Sequence, residues 1–165
     1  MASVVRYRVS QEHSLIIDAP VARVWSVLRN FGDLSWATDV GVEQSKLVKG
    51  VDQQIGSTRQ LFFDGGSKWL LEDLLGLDDV TYTLRYNMHN VGPDTGSPAE
   101  SWPMPFLYHN YIGVITLKPI TETDQTLASW AATTEATDPD AVEAAFKSAL
   151  PGLLKGLARA STEKK

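Results

Sequence analysis

The 165-residue chain predicts an α+β fold: a curled antiparallel sheet of about seven strands wrapped on a long C-terminal helix, with two short helices after strand 1. Three observations predict it. Residues 4–17 alternate in polarity and then give way to helical spacing. Residues 42–136 read as strands joined by turns. The last segment, about 139–160, carries one apolar stripe at helical period.

In the first strand, Val5, Tyr7, Val9, Leu15 and Ile17 face one way and Arg6, Arg8, Ser10, Glu12 and Ser14 the other. "DAPVARVWSVLRNF" follows. Pro20 suits a first helical turn, and Val21, Val24, Trp25 and Leu28 recur at helical spacing. "FGDLSWATD" reads as the second short helix. Strands are then expected at 42–49, 55–63, 68–77, 81–88, 108–118 and 126–136, with turns at Lys49–Asp52, Gly65-Gly66, Asp78-Asp79 and Glu122–Asp124. Asp138 and Pro139 supply an N-cap and a first residue for the terminal helix. Its stripe is Val142, Phe146, Ala149, Leu150, Leu153 and Leu157. Pro151 sits inside it, where a lost hydrogen bond and a ring clash predict a kink that widens the mouth of any space beneath. A sheet of this size curls. Between it and the helix lies either a packed core or a ligand cavity.

The chain reads as a single domain over 1–165, with a core of about 4–160. A net charge of -5 without a basic cluster argues against binding a nucleic-acid backbone. The absence of cysteine excludes disulfides, thiolate zinc sites and a cysteine nucleophile. His13, His89 and His109 fall into no metal-ligand spacing, so no metal is expected. No phosphate loop, dinucleotide fingerprint or nucleophile elbow is present, and no cofactor is expected. No apolar run reaches the ~20 residues of a membrane span. The expectation is a soluble, cytoplasmic protein, with a homodimer left open.

"RQLFFDGGSKWLLED" carries the chemistry. Pairing outward from a Gly65-Gly66 loop sets Asp64 opposite Ser67 and Arg59 opposite Glu72. Leu61, Phe63, Leu70 and Leu74 share their face, so the two charges stand in apolar company. They are either a structural pair closing a cavity floor or a polar site within it. Residues 89–107, with four of the eight prolines, are too long for an ordinary connection. The loop is either a lid, weighted by Trp102, Met104 and Phe106, or a surface insertion.

"IIDAPVARVWSVLRNFGDL", "GSTRQL", "LLEDLLGLDD", "YTLRY", "YIGVITLKPI", "ASWAATTE" and "GLLKGLA" resemble the START/Bet v 1-like (SRPBCC) superfamily. Within it they are similar to the polyketide cyclase/dehydrase-like group, which includes lachrymatory-factor-synthase-like proteins. The resemblance implies the helix-grip fold. It also implies cavity positions for an arginine, a glutamate and two tyrosines, occupied here by Arg59, Glu72, Tyr111 and Tyr86. The longer, proline-rich loop before Tyr111 departs from that pattern.

Glu72, Arg59 and Tyr111 are therefore the candidate catalytic residues. Tyr86, Trp130, His109, Phe63, Trp102 and Phe146 are the candidate substrate-binding residues. The facing of Tyr86 stays open: a two-residue loop at Asp78-Asp79 turns Arg85 toward Glu72, and a bulge reverses this. Trp130, between Ala128 and Ala132, reads as a cavity wall or a core residue. His109 shares strand parity with Tyr111 and is the nearest extra acid or base. The reading is a protein that holds a small hydrophobic, oxygen-bearing molecule and performs cofactor-free cyclisation, dehydration, isomerisation or rearrangement on it. A carrier or sensor of a lipid-like or polyketide-like ligand is the alternative, and a co-chaperone-like interaction module the third.

Overall fold

The computed structural model describes residues 3–92 and 97–163. The chain runs β1 (Tyr7–Ile17), α1 (Val21–Leu28), β2 (Gln44–Lys49), β3 (Thr58–Phe63), β4 (Lys68–Asp78), β5 (Thr83–Met88), β6 (His109–Ile120), β7 (Gln125–Ala136) and α2 (Pro139–Thr162). The strands form one seven-stranded sheet in the order β1-β7-β6-β5-β4-β3-β2, antiparallel at every pairing. This is the expected helix-grip architecture.

α2 begins as its sequence dictates. The Asp138 side chain accepts a hydrogen bond from the Ala141 N–H, and Pro139 fills the first turn. Val142, Phe146, Leu150, Leu154 and Leu157 are buried against the concave face of the sheet. Ala149 and Leu153, expected in the same stripe, border the space beside it. The helix continues from Pro139 to Thr162 through Pro151 as one segment. The missing N–H of Pro151 falls opposite the carbonyl of Lys147, an exposed residue that water can reach.

The first short helix forms as α1. The second is a run of turns closed by a single 3-10 turn, Thr38–Val40. The physical reason lies in its side chains. Asp33 accepts from both the backbone N–H and the hydroxyl of Ser35, and Ser45 Oγ takes the Leu34 N–H. Donors that a helix would need are spent locally.

The Gly65-Gly66 hairpin keeps the expected register, Arg59 opposite Glu72 and Phe63 opposite Lys68. Its connection is four residues long rather than two, with Asp64, Gly65 and Gly66 all at positive φ. Two irregularities elsewhere set what faces inward. One lies in β4 between Leu74 and Gly76, the other in β6 between His109 and Ile112. Of the long loop, Pro93 and residues 94–96 lie outside the described residues. Its second half is pinned by Lys68 Nζ donating to the Glu100 carbonyl at 2.6 Å and by Trp102 Nε1 donating to the Phe106 carbonyl at 2.7 Å.

Candidate functional site

A cavity of about 190 Å³ lies between the sheet and α2. Its walls are mostly apolar: Leu61, Phe63 and Leu70 from β3 and β4, Phe146, Leu150 and Leu153 from α2, and Pro103 and Met104 from the loop. Arg59, Glu72, Tyr86, Tyr111 and Trp130 bring polar atoms into this apolar shell.

Arg59 and Glu72 form a buried ion pair, 4% and 3% exposed. Arg59 Nε and Nη2 reach Glu72 Oε2 at 2.7 and 2.6 Å, and Nη1 donates to the Phe31 carbonyl at 2.8 Å. The guanidinium lies 4.1 Å from the Phe31 ring centre and 5.6 Å from that of Tyr86. Both of its contacts with Glu72 fall on one carboxylate oxygen. The other, Oε1, accepts no hydrogen bond among the described residues. Burial pushes the Glu72 carboxyl above its ordinary value of 4.5, against the lowering pull of Arg59.

The second polar unit is a chain of three rings. Trp130 Nε1 donates to the Tyr86 hydroxyl at 3.1 Å, which lies 2.9 Å from the Tyr111 hydroxyl. Trp130 donates to Tyr86 and either phenol can donate to the other; both border the cavity, so each order leaves one phenol hydrogen for the ligand space. Burial first, and then Glu72 for Tyr86 and the neighbouring Tyr86 for Tyr111, push both tyrosines upward, so the phenols remain protonated donors.

Tyr86 reaches this position through two devices. The β4 bulge pairs Leu74 with Tyr86, while Gly76 pairs with Arg85, so Tyr86 turns inward and Arg85 is exposed. Gly113, opposite Tyr86 on β6, leaves room for its ring. A Cβ there would fall 2.2 Å from Tyr86 Cε1.

Two sequence expectations are corrected. His109 does not line the cavity. The β6 bulge, with Asn110 at φ 53°, sets His109 opposite Glu135 on the outer face. Its inward place is taken by Tyr108, which strand parity alone would point outward. Tyr108 packs on Tyr111 and Phe146 at centroid distances of 5.5 and 5.4 Å. Trp102 also stands off the cavity, edge-on behind Tyr108 at 5.9 Å; Pro103 and Met104 line it instead. An asparagine before the strand's first inward residue was the available signal for Tyr108, since asparagine tolerates positive φ. Phe63, Phe146, Tyr86, Trp130, Arg59, Glu72 and Tyr111 all border the one space. Among the described residues no three histidine or acidic side chains stand close enough to hold a metal ion.

The sequence model for "Polyketide cyclase / dehydrase and lipid transport" matches residues 8–164. The chain belongs to this family. Membership supports a ligand-binding domain of the SRPBCC type. No match is found among curated proteins. Among solved structures, a protein from Nitrosospira multiformis is 32% identical, with a TM-score of 0.72 over 93% of this chain and 97% of that one. XoxI from Bacillus cereus is 22% identical, with a TM-score of 0.71 over 94% and 96%. Truncated norcoclaurine synthase from Thalictrum flavum is 15% identical, with a TM-score of 0.69 over the whole of both chains. The last two share the fold with this family member. No helix among the described residues is long and apolar enough to cross a membrane.

Proposed function

We propose that this family member binds a small hydrophobic, oxygen-bearing molecule in the cavity and performs cofactor-free acid/base chemistry on it, through Glu72, Arg59 and Tyr111. The reading is supported above all by one observation. Glu72, a 3% exposed residue, has one carboxylate oxygen, Oε1, that accepts no hydrogen bond among the described residues, and it lines a cavity that Tyr111 also lines.

The geometry supports the following roles in this reading. Glu72 Oε1 accepts a proton from a ligand C–H or O–H, and burial makes the carboxylate a better base than an exposed one. Arg59 fixes the rotamer through Oε2 and balances the charge. Tyr111 donates to the ligand oxygen on which negative charge develops. Glu72 then returns the proton to a different atom. Return to another carbon gives isomerisation; attack of the carbanion on a carbonyl carbon of the same ligand closes a ring, with the proton going to the alkoxide so formed; return to a leaving hydroxyl expels water. Tyr86, Trp130, Phe63 and Phe146 shape and orient.

The test begins with capture. Small molecules extracted from purified protein are compared with those from an Arg59→Met/Glu72→Gln double variant. A compound present only with the wild type is then incubated with the wild type and with Glu72→Gln. The expected result is conversion by the wild type, a kcat lowered ~10²–10⁴-fold by Glu72→Gln, and an affinity within about tenfold. A compound bound tightly but left unchanged by the wild type would make the protein a carrier.

A further inference from the structure

We infer that the cavity selects an uncharged, ring-sized molecule with one hydroxyl or enol donor and one carbonyl-type acceptor, and that it discriminates against carboxylates. This rests on the binding half of the reading above, not on turnover.

The charge balance is the first ground. A lone buried arginine would draw a carboxylate into the cavity. Here the side-on fork, Nε with Nη2, already holds Glu72 Oε2 and one Nη1 hydrogen goes to the Phe31 carbonyl, so three of the five N–H donors are taken and the positive charge is already balanced. The guanidinium lies over the Phe31 ring at 4.1 Å and 5.6 Å from the Tyr86 ring centre. The pair is neutral as a unit. An incoming anion would meet the second oxygen of Glu72 in a mostly apolar site whose one cation is already balanced.

The second ground is the polar inventory. Oε1 of Glu72 can only accept while the carboxylate is ionised, so it calls for an O–H or N–H on the ligand. The phenol hydrogen that the Tyr86–Tyr111 bond leaves over can only donate, so it calls for a carbonyl or ether oxygen. A molecule lacking either leaves one buried group unpaired. An ammonium would satisfy Oε1 but would bring an uncompensated charge into a neutral site.

The third ground is size. The cavity holds about 190 Å³, against the roughly 150 Å³ in which a single benzene fits. A ring with a few substituents fills it. Tyr111 packs on Tyr86, Tyr108 and Phe146, and Tyr108 on Phe146, at centroid distances of 5.4–6.0 Å, offering edges and faces to a planar guest.

Calorimetric titration with three probes tests this: 6-hydroxy-1-tetralone, its 6-methoxy ether and decanoate. The hydroxy-ketone should bind. The ether, which removes only the donor, should bind about tenfold or more weakly. Decanoate should give no measurable binding to the wild type. In Glu72→Gln, Arg59 loses its counter-charge and decanoate should gain about tenfold or more. Decanoate binding the wild type as tightly as the hydroxy-ketone would overturn the proposal, as would absent binding of the hydroxy-ketone or equal binding of the ether. The wild-type comparisons stand even where the variant fails to fold. If the hydroxy-ketone binds in this order while no captured compound is converted, the acid/base reading fails and this one stands.

Discussion

Two adjacent rungs of the β3–β4 ladder point to opposite sides of the sheet, and the same chemistry fares differently on each. Arg59 faces Glu72 on the concave side; Thr58 faces Asp73 on the convex side. Inside, burial dominates and drives the Glu72 carboxyl up despite a full ion pair. Outside, burial also raises Asp73, but the Thr58 hydroxyl at 2.6 Å and the His89 ring at 2.8 Å outweigh it, and the carboxyl is held below its ordinary 3.8. Hydrogen bonds decide the state of a half-exposed acid. Desolvation decides that of a buried one, and leaves it the more basic and reactive of the two.

The contrast breaks most severely at Arg59. Arg59→Met strands a carboxylate in an apolar cavity and should cost ~3–5 kcal/mol in chemical denaturation, whereas Arg59→Met/Glu72→Leu should recover most of that loss. Equal instability of the single and double variants would show that Arg59 contributes through packing, not charge.

Gly113→Ala comes next. The added methyl collides with the Tyr86 ring, so the variant should lose ~1–3 kcal/mol and ligand affinity together. Wild-type affinity in a folded Gly113→Ala protein would show that the ring chain does not position Tyr111.

The finest test is the pH dependence of unfolding. Glu72 has a raised folded pKa, so the native state binds its proton more readily than the unfolded chain. Its contribution to stability therefore falls as pH rises from about 4.5 through the folded value. Asp73 has a lowered folded pKa, so its contribution is present above 3.8 and lost as pH falls through the folded value. Measured against wild type, Glu72→Gln and Asp73→Asn should remove slopes of opposite sign. Slopes of the same sign would mean that the two faces do not differ as described.

Much of this was legible in the residues. The Gly65-Gly66 turn fixed the Arg59–Glu72 rung without any knowledge of the loop's true length, because two-residue and four-residue connections about the same centre give one register. The alternation of β7 placed Trp130 inward between Ala128 and Ala132. What alternation could not supply were the two bulges. Each inserts one residue and inverts the facing of everything on one side of it. Gly76 hinted at the first, as a glycine within a strand often does. Asn110 gave the weaker hint of the second, and parity read across it exchanged His109 for Tyr108. The Trp130–Tyr86–Tyr111 chain joins three strands, and no local pattern announces contacts of that range.

The β6 bulge behaves like a frameshift in the side-chain code. Straightening the bulge while keeping Asn110 as an ordinary strand residue would restore simple alternation upstream, turn Tyr108 outward and bring His109 to the wall of the cavity. An aromatic surface would become an ionisable one without a single substitution among the lining residues. On this scaffold the making or unmaking of a bulge at a strand end is thus a route to new chemistry that leaves every lining residue type in place.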